Sequence, residues 1–149
     1  MGREIKRIFV HCTASSQSMT VEGLLKEFAR KGWKNPGYHY VVGADGKITQ
    51  LLDESKVSNG VQGWNANAIN VAYVGGIDAR GKAADNRTPG QKSSLVRLLK
   101  MLVWRYPGVE IMGHRDIWGA DSPGKWKKMC PCFNASAEYR DLCNAKKQD

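Results

Sequence analysis

The run Ile5-Lys6-Arg7-Ile8-Phe9-Val10-His11 constrains the fold of this chain more than any other stretch. Read as a strand, it puts Ile8 and Val10 on one face and Phe9 and His11 on the other. Apolar groups on both faces suit a central strand that is covered on both sides. His11 then lies at the strand's C-terminal end, where open α/β sheets place their ligands. By itself such a histidine reads first as a buried, hydrogen-bonded core residue.

The remaining pattern supplies partners for that strand. Thr20 can cap a helix whose stripe is Val21, Leu24, Leu25 and Phe28, ended by Gly32. A second strand is expected over Tyr38–Val42, a turn at Ala44-Asp45-Gly46-Lys47, and an antiparallel return over Ile48–Leu52. Ser55–Asn67 is irregular, and a loop of this length is usually functional or mobile. Ile69–Val74 is an apolar strand broken only by Asn70. Thr88, Pro89 and Gln91 form a capping box with proline at the first helical position. Leu95, Leu98, Leu99, Leu102 and Val103 continue that helix as a core stripe. Val109–His114 is the last strand, Arg115–Met129 a loop, and Asn134–Cys143 a short C-terminal helix. The expected architecture is a single α/β domain over residues 1–149, with a central mixed sheet of about five strands and helices on both faces.

Composition narrows the function classes. Lys and Arg number 23 against 14 Asp and Glu, a net charge of +9. Such a charge serves solubility or attraction to a polyanion, either nucleic acid or bacterial wall. No basic run interleaved with aromatics and no nucleic-acid-binding motif is present, so nucleic acid is not expected as a partner. No run of about 18 apolar residues exists to span a membrane. Met1 to Arg7 lacks the apolar core of a secretory signal. Four clustered cysteines fit reduced thiols better than a disulfide scaffold. The expectation is a protein made in the cytoplasm that acts as a monomer.

His114 ends its strand as His11 ends the first, so the two histidines should converge above one sheet edge. The loop that follows returns Lys128 and Cys130 to the same end. Two imidazoles and one thiolate are a good ligand set for zinc with a fourth position left open. Alternatives stay open at this level. His39 is an equal candidate ligand, since a regular strand cannot aim both Tyr38 and His39 at one site. Cys132 could replace Cys130, because Pro131 makes the local geometry irregular. Cys12 beside His11 suggests a Cys–His nucleophile, but adjacent strand residues point to opposite faces. The Cys-Pro-Cys spacing lacks the two intervening residues of a redox motif.

The chain resembles the type 2 N-acetylmuramoyl-L-alanine amidases, which include peptidoglycan recognition proteins and phage lysozymes of the T-seven type. The resemblance runs from Ile5 to Phe133. It rests on Ile8-Phe9-Val10-His11-Cys12, Gly32-Trp33, Gly37-Tyr38-His39-Tyr40, Gly63-Trp64-Asn65, Val74-Gly75-Gly76-Ile77-Asp78, Thr88-Pro89, Gly113-His114 and Lys128-Met129-Cys130-Pro131. It implies zinc held by His11, His114 and Cys130, catalytic roles for Tyr38 and Lys128, and peptidoglycan, a muramyl peptide, as substrate. His39 is then structural, and Cys130 rather than Cys132 is the ligand because the family places it before proline. Trp64 and Asn65 become candidate substrate contacts, although Trp64 reads equally as a plug at the core edge. Several family members carry a histidine before the Gly-aromatic-Asn motif, where this chain has Ser58-Asn59-Gly60. The implied setting is a phage or prophage endolysin, released from the cytoplasm to act on the wall. Two other classes stand beside it: a non-catalytic peptidoglycan receptor, and a cytosolic regulatory partner protein. Receptors of this family typically lack the cysteine, so Cys130 favours the enzyme.

Overall fold

The computed structural model describes residues 3–147 of the chain. Five strands form one sheet in the order β3-β2-β4-β1-β5. They are β1 (Arg7–Cys12), β2 (Tyr40–Val42), β3 (Ile48–Gln50), β4 (Ala68–Tyr73) and β5 (Glu110–Gly113). β1 runs parallel to both β4 and β5, β2 runs parallel to β4, and only the β2–β3 hairpin is antiparallel. The sheet is therefore mixed, and the apolar run at its centre is β1, as its two-faced pattern requires.

Alternation along β1 divides the core. Ile8, Val10 and Cys12 join Ile69, Val71, Tyr73 and Ile111 on one face. They are covered by α2 (Pro89–Arg105), α3 (Ala135–Glu138) and α4 (Arg140–Lys147). The α2 stripe Leu95, Leu98, Leu99, Leu102 and Val103 is buried there. On the other face α1 (Val21–Arg30) lays Leu24 and Phe28 over Val41, Ala72 and Val74. Further along that face Phe9, Val61 and Ala68 form a small cluster with Trp64. Both helix starts carry the caps their sequences call for. Thr20 accepts from Gly23 N, and Thr88 and Gln91 form a complete capping box.

Three local expectations are corrected. Leu25 of the α1 stripe is 41% exposed, because only the narrower Leu24–Phe28 edge meets the sheet. Tyr38 and His39 precede β2 rather than belonging to it. The C-terminal helix is broken at Tyr139, whose backbone leaves helical geometry at φ −104° and ψ 10°. Asn134 caps the first piece, and the second runs to Lys147. Among the described residues no helix is long and apolar enough to cross a membrane.

Candidate metal centre

The C-terminal ends of β1 and β5 lie side by side, and each delivers a histidine. His11 is the penultimate residue of β1, and His114 follows Gly113 at the end of β5. Their ring centroids are 5.0 Å apart. After His114 the chain makes a short helical turn, pinned by Gly113 N–H donating to Asp116 Oδ2 at 2.7 Å. It returns to the sheet where Arg115 N–H donates to Cys130 O at 3.0 Å. Gly113 is needed for this return: a Cβ there would stand 2.8 Å from Pro131 Cδ. Cys130 is thereby brought over His11. One ligand atom from each of His11, His114 and Cys130 lies within 4.8 Å of the others, the only such group of three among the described residues.

The second cysteine of the pair turns elsewhere. Cys132 has φ 73°, in the left-handed region, and its sulfur faces Cys12 Sγ at 4.0 Å and Gly76 O at 3.7 Å. All four cysteines are free thiols. His39 also points away, with its ring between Ser58 Oγ at 3.1 Å and Lys56 O at 2.7 Å.

Burial sets the charge state of the two imidazoles. It lowers His11 to about 4; the Asn70 hydrogen bond opposes the shift and the Lys128 charge adds to it. His114 falls to about 3, through burial first and then the charges of His11 and Lys128. Both rings are neutral at pH 7, the form that donates a lone pair to a metal. His11 Nε2 is hydrogen-bonded to Asn70 Oδ1 at 2.8 Å, while its Nδ1 lies 3.7 Å from Cys130 Sγ. Trp118 stacks on His114 at 5.5 Å with an interplanar angle of 23° and holds that ring's plane. Two neutral imidazoles, a sulfur and a second-layer amide behind one ring are a donor set that fits zinc.

A cavity of about 140 Å³ opens directly on these groups, lined by His11, Tyr38, His114, Lys128 and Cys130 among others. It continues into a second of about 410 Å³, which shares Trp33, Asn59, Gly60, His114 and Lys128 with the first. Tyr38 stands beside His11 at 5.1 Å between ring centroids, and its hydroxyl donates to Cys12 O at 3.2 Å. Burial raises the phenol well above its ordinary value, so it remains a hydrogen-bond donor. Lys128 is exposed and lines both cavities. Larger hollows of about 610 and 620 Å³ lie elsewhere, one around Glu54 and Tyr106, the other around Arg7 and Arg140. Neither gathers a comparable donor set.

Trp64 takes the core-edge position of the two that its sequence leaves open. Its ring meets Phe9 edge-on at 6.1 Å, and the Arg7 guanidinium lies 4.8 Å over it. Phe9 and Arg7 precede His11 on β1, so Trp64 sits toward the strand's other end. Asn65 turns inward, its Oδ1 accepting from Val61 N–H at 2.8 Å. Neither residue lines the cleft around His114. Sequence reasoning missed Asn70, Ser58 and Trp118. The single amide interrupting Ile69–Val74 was the one available signal for the first.

The cleft lies outside the carboxyl ends of the strands of a mostly parallel sheet, where open α/β proteins place their ligands. The profile of the family described as N-acetylmuramoyl-L-alanine amidase matches residues 1–132. The endolysin of Enterobacteria phage T3 is 38% identical over 129 residues, covering 85% of this chain and 80% of the phage protein. Among solved structures, the Ph2119 endolysin from the Thermus scotoductus MAT2119 bacteriophage superposes with a TM-score of 0.71 at 26% identity, covering 96% of this chain and 87% of that one. Drosophila peptidoglycan recognition protein SD shares the fold, with a TM-score of 0.70 at 16% identity over 94% of this chain and 82% of its own. The chain belongs to the N-acetylmuramoyl-L-alanine amidase family.

Proposed function

We propose that the protein is a zinc-dependent amidase that hydrolyses the amide between N-acetylmuramic acid and L-alanine in peptidoglycan, in the manner of a phage endolysin. The observation that carries the reading is the convergence of His11, His114 and Cys130 in a cleft that also presents Tyr38 and Lys128. Zinc, when bound, supplies the Lewis acidity that activates water and polarises an amide carbonyl at neutral pH. The protein supplies the rest. Neutral His11 and His114 and the sulfur of Cys130 hold the ion. The walls formed by Trp33, Asn59 and Gly60 seat the substrate next to it. Lys128 places a positive charge where the carbonyl oxygen becomes an oxyanion. The Tyr38 hydroxyl, which rests on Cys12 O, can donate to the same oxygen instead. The positive net charge favours approach to a wall rich in carboxylates and phosphates.

The test is digestion of purified sacculi. Stem peptides with new L-alanine amino termini should appear while glycan strands stay intact, and a strong chelator should stop the release. New reducing sugar ends without new amines would sink the assignment.

A further inference from the structure

His11 can present Nδ1 to a metal only if its ring proton is on Nε2, and the hydrogen bonds behind it fix that choice. The backbone N–H of Val61 is a donor with no freedom of role. It donates to the side chain of Asn65 at 2.8 Å, so the atom it meets is the oxygen. That oxygen lies 3.2 Å from Asn70, so the Asn70 atom facing it is the amide nitrogen. The same nitrogen donates to Ser58 Oγ at 2.7 Å, which employs both its protons. The remaining Asn70 atom is therefore the carbonyl oxygen, and it meets His11 Nε2 at 2.8 Å. Only a protonated Nε2 can bond there, which leaves the Nδ1 lone pair directed toward Cys130 Sγ.

A second anchor agrees. Asn70 N–H donates to His39 Nδ1 at 3.1 Å, so His39 carries its proton on Nε2. That nitrogen meets both Lys56 O at 2.7 Å and Arg3 Nη2 at 3.2 Å, and its proton goes to the carbonyl. Ser58 then donates to His39 and is free to accept from Asn70. His11, His39, Ser58 and Asn70 are all fully or almost fully buried, and each is satisfied. Gly60 makes room for the arrangement: a Cβ there would lie 2.4 Å from Asn70 Cγ and Oδ1.

We propose that Asn70, oriented by Asn65 and Ser58, is a positioning residue that locks His11 in the Nε2–H tautomer and aims Nδ1 at the metal site. The metal-facing half of this proposal rests on His11 being a zinc ligand; the tautomer itself does not. It also gives a task to Ser58 and Asn65, which the cleft does not use.

The experiment records two-bond proton–nitrogen spectra of ¹⁵N-histidine-labelled protein without zinc, alongside zinc affinity by competition with a chelating dye. His11 should appear as a single Nε2–H tautomer. Asn70→Ala should lose that single tautomer and weaken zinc binding about 10- to 100-fold. Asn70→Asp, which keeps an acceptor for the Nε2 proton but loses the donors to Asn65 and Ser58, should retain the tautomer. A proton on Nδ1 in the parent protein overturns the proposal without any variant. Unchanged tautomer and affinity in a folded Asn70→Ala protein overturn it as well, and so does loss of the tautomer in a folded Asn70→Asp protein. Parent protein that shows the expected tautomer but binds no zinc overturns the zinc reading and leaves the lock standing.

Discussion

On one face of the sheet His11, Asn70, Ser58 and His39 are joined by hydrogen bonds between uncharged groups. On the other face Arg87 is gripped by two carboxylates. It donates to both oxygens of Asp85 at 2.8 Å and to Glu138 at 2.7 and 3.0 Å, and its guanidinium lies 3.4 Å from the centroid of Phe133. Its side chain is only 2% exposed. The difference follows from what each cluster must do. A buried cation needs paired counter-charge to offset its desolvation, and the same pairing makes a strong clamp. The clamp ties the segment before α2 to the C-terminal helices. The His11 imidazole, which burial keeps neutral at pH 7, is supported instead by amides and a hydroxyl. Charged support gives strength, and neutral support gives an available lone pair.

That contrast predicts that damage on the neutral side appears in metal binding and turnover, and damage on the charged side in stability. The largest effect belongs to Cys130→Ser, which should lose zinc and reduce sacculus hydrolysis to background; zinc content and stem-peptide release measured together check it. Next come Lys128→Met and Tyr38→Phe. Each removes one donor to the developing oxyanion, so kcat should fall about 10²- to 10³-fold with zinc retained, the tyrosine variant less. Near-normal kcat in both would make them bystanders.

Arg87→Met should cost about 3 kcal/mol of stability by denaturant titration and leave turnover per folded molecule unchanged. Loss of turnover without loss of stability would break the comparison. A pH arm sharpens it. The Arg87 hydrogen bond holds Asp85 below its ordinary value. The unfolded chain then takes up that proton first, so the stabilisation is present above about pH 4 and drains away as pH falls further. Parent protein should show this decline, and Arg87→Met should show less of it. The smallest effect is Cys132→Ser, which keeps zinc and activity at a cost of about 1 kcal/mol. Loss of zinc from this variant instead would move the ligand by two residues.

Much of the scaffold was legible because it obeys local rules. The five strands, the two helix caps and the α2 stripe all follow from spacing and residue type. His11 and His114 were legible as strand-end residues expected to converge, and the parallel pairing of β1 with β5 brings them together. Less legible was anything set by a partner distant in sequence. Nothing local to Asn70 says that its amide meets Ser58 and Asn65, and nothing around Arg87 announces Glu138. Tyr38 reaches its place because Phe28 packs edge-on against it, and Trp33 stacks on Phe28 in turn, not because of strand alternation.

The position of β1 has a consequence in time as well as in space. It is the first strand to leave the ribosome, yet its two neighbours are residues 68–73 and 110–113. Pairings this far apart in the chain form slowly, and a domain of this kind folds as a unit. The three donors sit at positions 11, 114 and 130. A nascent chain therefore has no complete donor set until Cys130 has been synthesised. On the proposed zinc reading, fragments that end before Cys130 lack the third donor and should show no sacculus hydrolysis.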